Sequence, residues 1–124
     1  MRTLNYLLLA VADLSASAQL YQNLLGIAPV ENSPTFVLFV LPNVIKIGLW
    51  SKREIQPTPK LPGGIEISFS EESREAVLAT FEAWKMLGVN IVQEPTDMDF
   101  GFTFVAEDLD GHRLRPFVLA DEPS

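Results

Sequence analysis

The chain states one phrase twice: Leu25-Gly26-Ile27-Ala28-Pro29-Val30 is answered by Leu87-Gly88-Val89-Asn90-Ile91-Val92. Each copy closes an amphipathic stretch and opens an extended one. The sequence therefore points to two copies of one small unit that share a cleft. At 124 residues, 48% of them hydrophobic, the chain can bury one core or two half-sized packed modules, and two fully independent domains are not expected.

The element order repeats as well. Leu4 to Val11 is an apolar run ending at Asp13, a strand feeding a helix start. Leu14, Ala18, Tyr21, Leu24 and Leu25 then recur at helical spacing, and Gly26 suits the left-handed position that ends a helix. A short strand is expected at 28–31, followed by a hairpin of runs 35–41 and 44–50 around Pro42-Asn43. Proline and glycine at Pro57, Pro59, Pro62, Gly63 and Gly64 break the pattern. Module one is thus 1–51, the linker 52–64 and module two 65–120. The second module repeats the order with a strand at 65–69, a helix at 72–87 and a short strand at 90–93. A closing hairpin of 100–106 and 112–118 turns at Asp110-Gly111. The tail Asp121-Glu122-Pro123-Ser124 is expected to fray. The fold class is α+β, two βαβββ modules forming a curled mixed sheet around a cleft.

Composition excludes several functions. The chain has no cysteine, which removes thiolate catalysis, cysteine-ligated zinc and disulfides. Its net charge of −7 repels nucleic acid and anionic membranes. No apolar run approaches the ~20 residues that span a bilayer, and Met1-Arg2-Thr3-Leu4 leads into a strand rather than a signal peptide, so a cytoplasmic protein is expected. The single histidine, His112, lies in a hairpin turn, where a solvated or hydrogen-bonded role is the ordinary one. Trp84 shares helical spacing with Val77 and Phe81 and is expected in the core.

Val11-Ala12-Asp13-Leu14 followed by Tyr21-Gln22-Asn23-Leu24-Leu25-Gly26, together with Asp108-Leu109-Asp110-Gly111-His112-Arg113-Leu114, resembles the vicinal oxygen chelate superfamily of glyoxalases, dioxygenases and bleomycin-resistance proteins. The resemblance covers almost the whole chain and implies paired βαβββ modules, commonly as a homodimer. In the superfamily's enzymes it also implies a divalent metal held by His, Gln or Glu at four sites. Those sites fall here at Tyr6, at about Gly48, at Glu66 and at Arg115. Only Glu66 is a suitable ligand, whereas a catalytic metal needs about three, so no metal and no other cofactor is expected. The run from Phe39 to Asn43 with Lys46 to Ser51 also resembles the hairpin of phenazine-antibiotic resistance proteins, a non-enzymatic branch that sequesters a planar aromatic drug.

If Tyr6 faces the cleft, strand alternation places Leu8 and Ala10 beside it, and puts Glu66, Ser68 and Ser70 on the matching face of module two. A two- or four-residue loop at Pro42-Asn43 would put Val37, Phe39 and Leu41 on the face of Lys46, Gly48 and Trp50. A turn at Asp110-Gly111 would put Phe102 and Phe104 beside Arg113, Arg115 and Phe117. The expected ligand-binding residues are Tyr6, Phe39, Gly48, Trp50, Glu66, Ser68, Phe102, Phe104, Arg115 and Phe117. A strand face rich in phenylalanine also serves plain core packing, and Gly48 marks either room for a flat ligand or a bulge.

The function expected is metal-free binding of a planar, phenazine-like antibiotic or metabolite, which sequesters it and confers resistance. Arg115 would meet a ligand carboxylate and no residue would be catalytic. The alternative is a metal-dependent lyase, isomerase or dioxygenase, for which Asp and Glu would have to supply nearly every ligand. A third is a structural or regulatory dimer with a collapsed cleft.

Overall fold

The computed structural model describes residues 2–120, so the expected fraying of 121–124 lies outside the described residues. The chain divides into two units, 1–61 and 62–124. Each unit has the order βαβββ and one four-stranded sheet of its own. The mixed-sheet α+β class stands, with two sheets in place of one continuous curled sheet.

In the first unit β1 (Tyr6–Val11) leads into α1 (Leu14–Leu25), then β2 (Glu31–Asn32), β3 (Phe36–Val40) and β4 (Lys46–Ser51). The strands lie in the order β1-β4-β3-β2, with β1 parallel to β4 and the rest antiparallel. Helix α1 starts where the Asp13 carboxylate accepts a hydrogen bond from the Ala16 amide at 3.1 Å, meeting a donor that the first turn leaves orphaned. It stops at Gly26, whose φ of 71° is left-handed and whose N–H donates to the Gln22 carbonyl. Leu9, Val11, Tyr21, Val37, Phe39, Ile47 and Leu49 are buried as this unit's core.

The second unit repeats the plan with β5 (Glu66–Ser70), α2 (Arg74–Met86), β6 (Asn90–Met98), β7 (Gly101–Glu107) and β8 (Arg113–Leu119). Its strand order is β5-β8-β7-β6, with β5 parallel to β8. Ser73 caps α2 by accepting from the Ala76 amide at 3.0 Å. Trp84 is buried as expected, meeting Phe69 and Phe104 edge-on at ring-centroid distances of 5.7 and 5.5 Å. Strand β6 runs well past the expected 90–93, straight through Pro95. It can do so because it is an edge strand, where a missing N–H breaks no ladder, and two register shifts absorb the irregularity.

Both hairpins close through three residues, not two or four. In the first, Leu41 N–H donates to the Ile45 carbonyl at 2.9 Å, leaving Pro42, Asn43 and Val44 as the loop. In the second, Asp108 N–H donates to the His112 carbonyl at 2.9 Å, leaving Leu109, Asp110 and Gly111. The third loop residue has positive φ in both, 62° at Val44 and 90° at Gly111. An odd loop pairs residues of equal parity, so each strand before its loop turns over relative to the expectation.

Candidate functional site

The turned-over strands redistribute the expected site residues. In β3 and β4 the directly opposed pairs are Phe36 with Trp50, Leu38 with Gly48, Phe39 with Ile47 and Val40 with Lys46. Phe39 therefore shares the helix-facing side with Ile47 and Leu49 and is fully buried. The residues beside Gly48 and Trp50 are Phe36, Leu38 and Val40.

The second unit undergoes the same correction. Phe102 opposes Val118 and Ala106 opposes Leu114, so Phe102 and Phe104 face α2. Phe104 is fully buried against Phe81 and Trp84, at centroid distances of 5.3 and 5.5 Å. Phe102 lies under the Arg74 guanidinium at 4.0 Å from its ring centroid, with Arg74 held in turn by Asp97 at 2.6 Å. Phe39, Phe102 and Phe104 are core residues and do not line the side of either sheet that faces away from its helix.

That side of the first sheet is apolar and aromatic. Parallel pairing places Tyr6, Leu8 and Ala10 of β1 beside Lys46, Gly48 and Trp50 of β4. Tyr6 and Leu8 are 40% and 48% exposed, and Phe36, Leu38 and Trp50 are half-buried. A side chain at Gly48 would meet Leu8 Cδ1 at 2.9 Å and the Phe36 ring at 3.0 Å. The space above Gly48 is thus filled by Phe36 and Leu8, and the glycine lets that ring lie down on the sheet. Burial, and then the nearby Glu31 carboxylate, push the Tyr6 phenol above its ordinary value, which keeps it a neutral hydrogen-bonding group.

The matching side of the second sheet is ionic. Glu66, Ser68 and Ser70 of β5 pair with Arg113, Arg115 and Phe117 of β8. Arg115 grips Glu66 with two parallel hydrogen bonds, Nε to Oε1 at 2.7 Å and Nη2 to Oε2 at 3.1 Å. Its Nη1 donates to Gln93 Oε1 at 3.2 Å and reaches Thr103 Oγ1 at 3.5 Å. Arg113 Nη2 adds a second cation to Glu66 Oε2 at 3.1 Å. The hydrogen bond from Arg115 holds the Glu66 carboxyl below the usual carboxylate range. Burial opposes this, and the charges of both arginines reinforce it. Phe117 packs edge-on to Phe100 at 6.5 Å, and Ser68 is exposed.

The four positions implied for a metal carry a phenol, a glycine, a carboxylate already shared by two guanidiniums, and a guanidinium. This donor set does not fit a catalytic divalent ion. Among the described residues no group of three His, Cys, Asp or Glu side chains is placed to hold one.

Sequence reasoning missed Phe36. Its only signal was the length of the loop after β3, since an odd loop exchanges Phe36 for Phe39.

The structural comparisons agree with this architecture. A protein of Agrobacterium tumefaciens, solved in solution by NMR, is 45% identical and superposes with a TM-score of 0.89, covering 97% of this chain and 99% of its own. A glyoxalase-related enzyme of Fulvimarina pelagi shares the fold at 20% identity, with a TM-score of 0.85 over 95% of this chain and 88% of that one. In sequence, the phenazine antibiotic resistance protein EhpR of Enterobacter agglomerans is 29% identical over 116 residues, which is 91% of this chain and 89% of that protein. The family model for the Glyoxalase/Bleomycin resistance protein/Dioxygenase superfamily matches residues 3–115, so with its two βαβββ units the chain belongs to that superfamily.

Proposed function

We propose that this chain is a metal-independent binding protein that holds a planar aromatic antibiotic or metabolite of phenazine type and lowers its free concentration, conferring resistance. The observation that carries the reading is the Phe36–Trp50 cross-strand pair beside Gly48, flanked by exposed Tyr6 and Leu8 on a side of the sheet that α1 does not cover. Stacking on these rings contributes roughly 0.5–1.5 kcal/mol per aromatic pair beyond area burial. Two further observations support it: the family's metal positions lack a usable donor set, and a relative spanning most of the chain is named as a phenazine resistance protein. Arg115 is spent on Glu66, Gln93 and Thr103, so its part is to brace β8 against β5 and not to meet a ligand carboxylate. We read the protein as a cytoplasmic homodimer; no helix among the described residues is long and apolar enough to cross a membrane.

The test is a fluorescence titration with a phenazine in the presence of a chelator. Trp50 emission should quench, and Trp50→Ala should weaken binding about tenfold, or ~1.4 kcal/mol. The reading is wrong if affinity appears only on adding a divalent metal, or if folded Trp50→Ala binds as tightly as the wild type.

A further inference from the structure

The second unit carries a cation whose hydrogen-bonding capacity its neighbours do not use. Arg113 and Arg115 project from the same side of β8, two residues apart, in a chain whose basic residues number 9 against 16 acidic ones. They share the single carboxylate of Glu66 unequally. Arg115 takes both oxygens and gives its third nitrogen to Gln93 and Thr103, while Arg113 has one Nη2 contact to Oε2. Arg113 Nε is sealed off with no partner, so any further bond must come from the terminal nitrogens of a side chain that is 42% exposed. Glu107 stands opposite Arg113 on β7, yet it makes no ion pair with it, and its Oε1 accepts from Asn90 Nδ2 at 2.9 Å. The trio of Arg113, Arg115 and Glu66 therefore keeps one net positive charge.

That charge borders a cavity of about 360 Å³ lined by Gly64, Ile65, Glu66, Ser68 and Arg113. Ile65 is 78% exposed and offers an apolar wall, and the exposed Ser68 hydroxyl is a hydrogen-bond donor. We propose that this cavity is a binding site for a small organic monocarboxylate, its carboxylate on the Arg113 guanidinium and Ser68 and its apolar body against Ile65. A guanidinium fork matches the two oxygens of a carboxylate, which a neutral amide does not reproduce. The site lies within the second unit and does not depend on the aromatic side of the first sheet.

Hexanoate and hexanamide separate the two roles, because neither stacks on aromatic rings. Titrated at low salt into the isotope-labelled full chain, hexanoate should shift the Arg113 Nε–H signal and the backbone signals of Ile65 and Ser68. Hexanamide should need at least tenfold higher concentration for the same shifts. Arg113→Gln should abolish the hexanoate response, and Arg113→Lys, which keeps the charge without the fork, should weaken it several-fold. The proposal is overturned if hexanoate produces no shifts, if acid and amide behave alike, or if either variant responds as the wild type does.

Discussion

Phe36 and Phe39 sit three residues apart on one strand and do opposite work. Phe39 is fully buried among Val37, Ile47 and Leu49, so Phe39→Ala should leave a cavity and cost about 3–5 kcal/mol in a chemical denaturation experiment. Phe36 is half-buried on the other side, so Phe36→Ala should cost less stability while reducing phenazine affinity in the quenching titration. Equal stability losses with unchanged affinity would mean the two faces have been assigned wrongly. Glu66 gives a second residue-scale prediction. Its folded carboxyl lies below the ordinary value of about 4.5, so its contribution is present above that pH and is lost as pH falls through the lower folded value. The stability gap between wild type and Glu66→Gln should be widest near neutrality and close in acid. A gap that stays constant down to the acid transition would show that the two arginines do not depend on the charge of Glu66.

At the scale of the element, the hairpin loop decides what each strand shows to either side. Val44 occupies the left-handed third position of its loop, where a β-branched residue costs roughly 1–2 kcal/mol, while Gly111 takes the equivalent position without strain. Val44→Asn should therefore raise the urea midpoint, by about 1 kcal/mol in stability, and leave ligand affinity unchanged; a lower midpoint would contradict the three-residue loop. The same comparison shows what was legible in the sequence. Both helices, the Asp13 and Gly26 ends of the first, the βαβββ order of elements along the chain and the burial of Trp84 follow from periodicity and cap chemistry, which are local. The faces of β3 and β7 do not, because they depend on whether a loop holds an even or odd number of residues. Gly111 could have signalled the third position, but Val44 carries no such mark. Strand β6 continues past the expected 90–93 through Pro95 to Met98, and its place at a sheet edge makes proline harmless there.

Across the whole molecule the repeat has kept its scaffold and diverged in its chemistry. Both units use the same order, the same parallel pairing of first and last strands and the same three-residue closing loop, yet one sheet presents aromatic rings and the other an arginine–glutamate cluster. A chain with net charge −7 is poorly placed for anionic macromolecules. If it forms the homodimer we propose, light scattering after gel filtration should return about twice 13.8 kDa; a mass near 13.8 kDa would contradict that reading and leave the binding face intact.

The central claim is that the first sheet binds a flat aromatic molecule on the side that carries Phe36 and Trp50, without a metal. Intermolecular NMR contacts between a bound phenazine and the labelled protein, recorded in excess chelator, test this most directly. The account predicts contacts from the ligand ring protons to Phe36, Trp50 and Leu8, and none to Phe39 or Phe104. Contacts confined to other surfaces, or a complex that forms only when a divalent ion is restored, would contradict it.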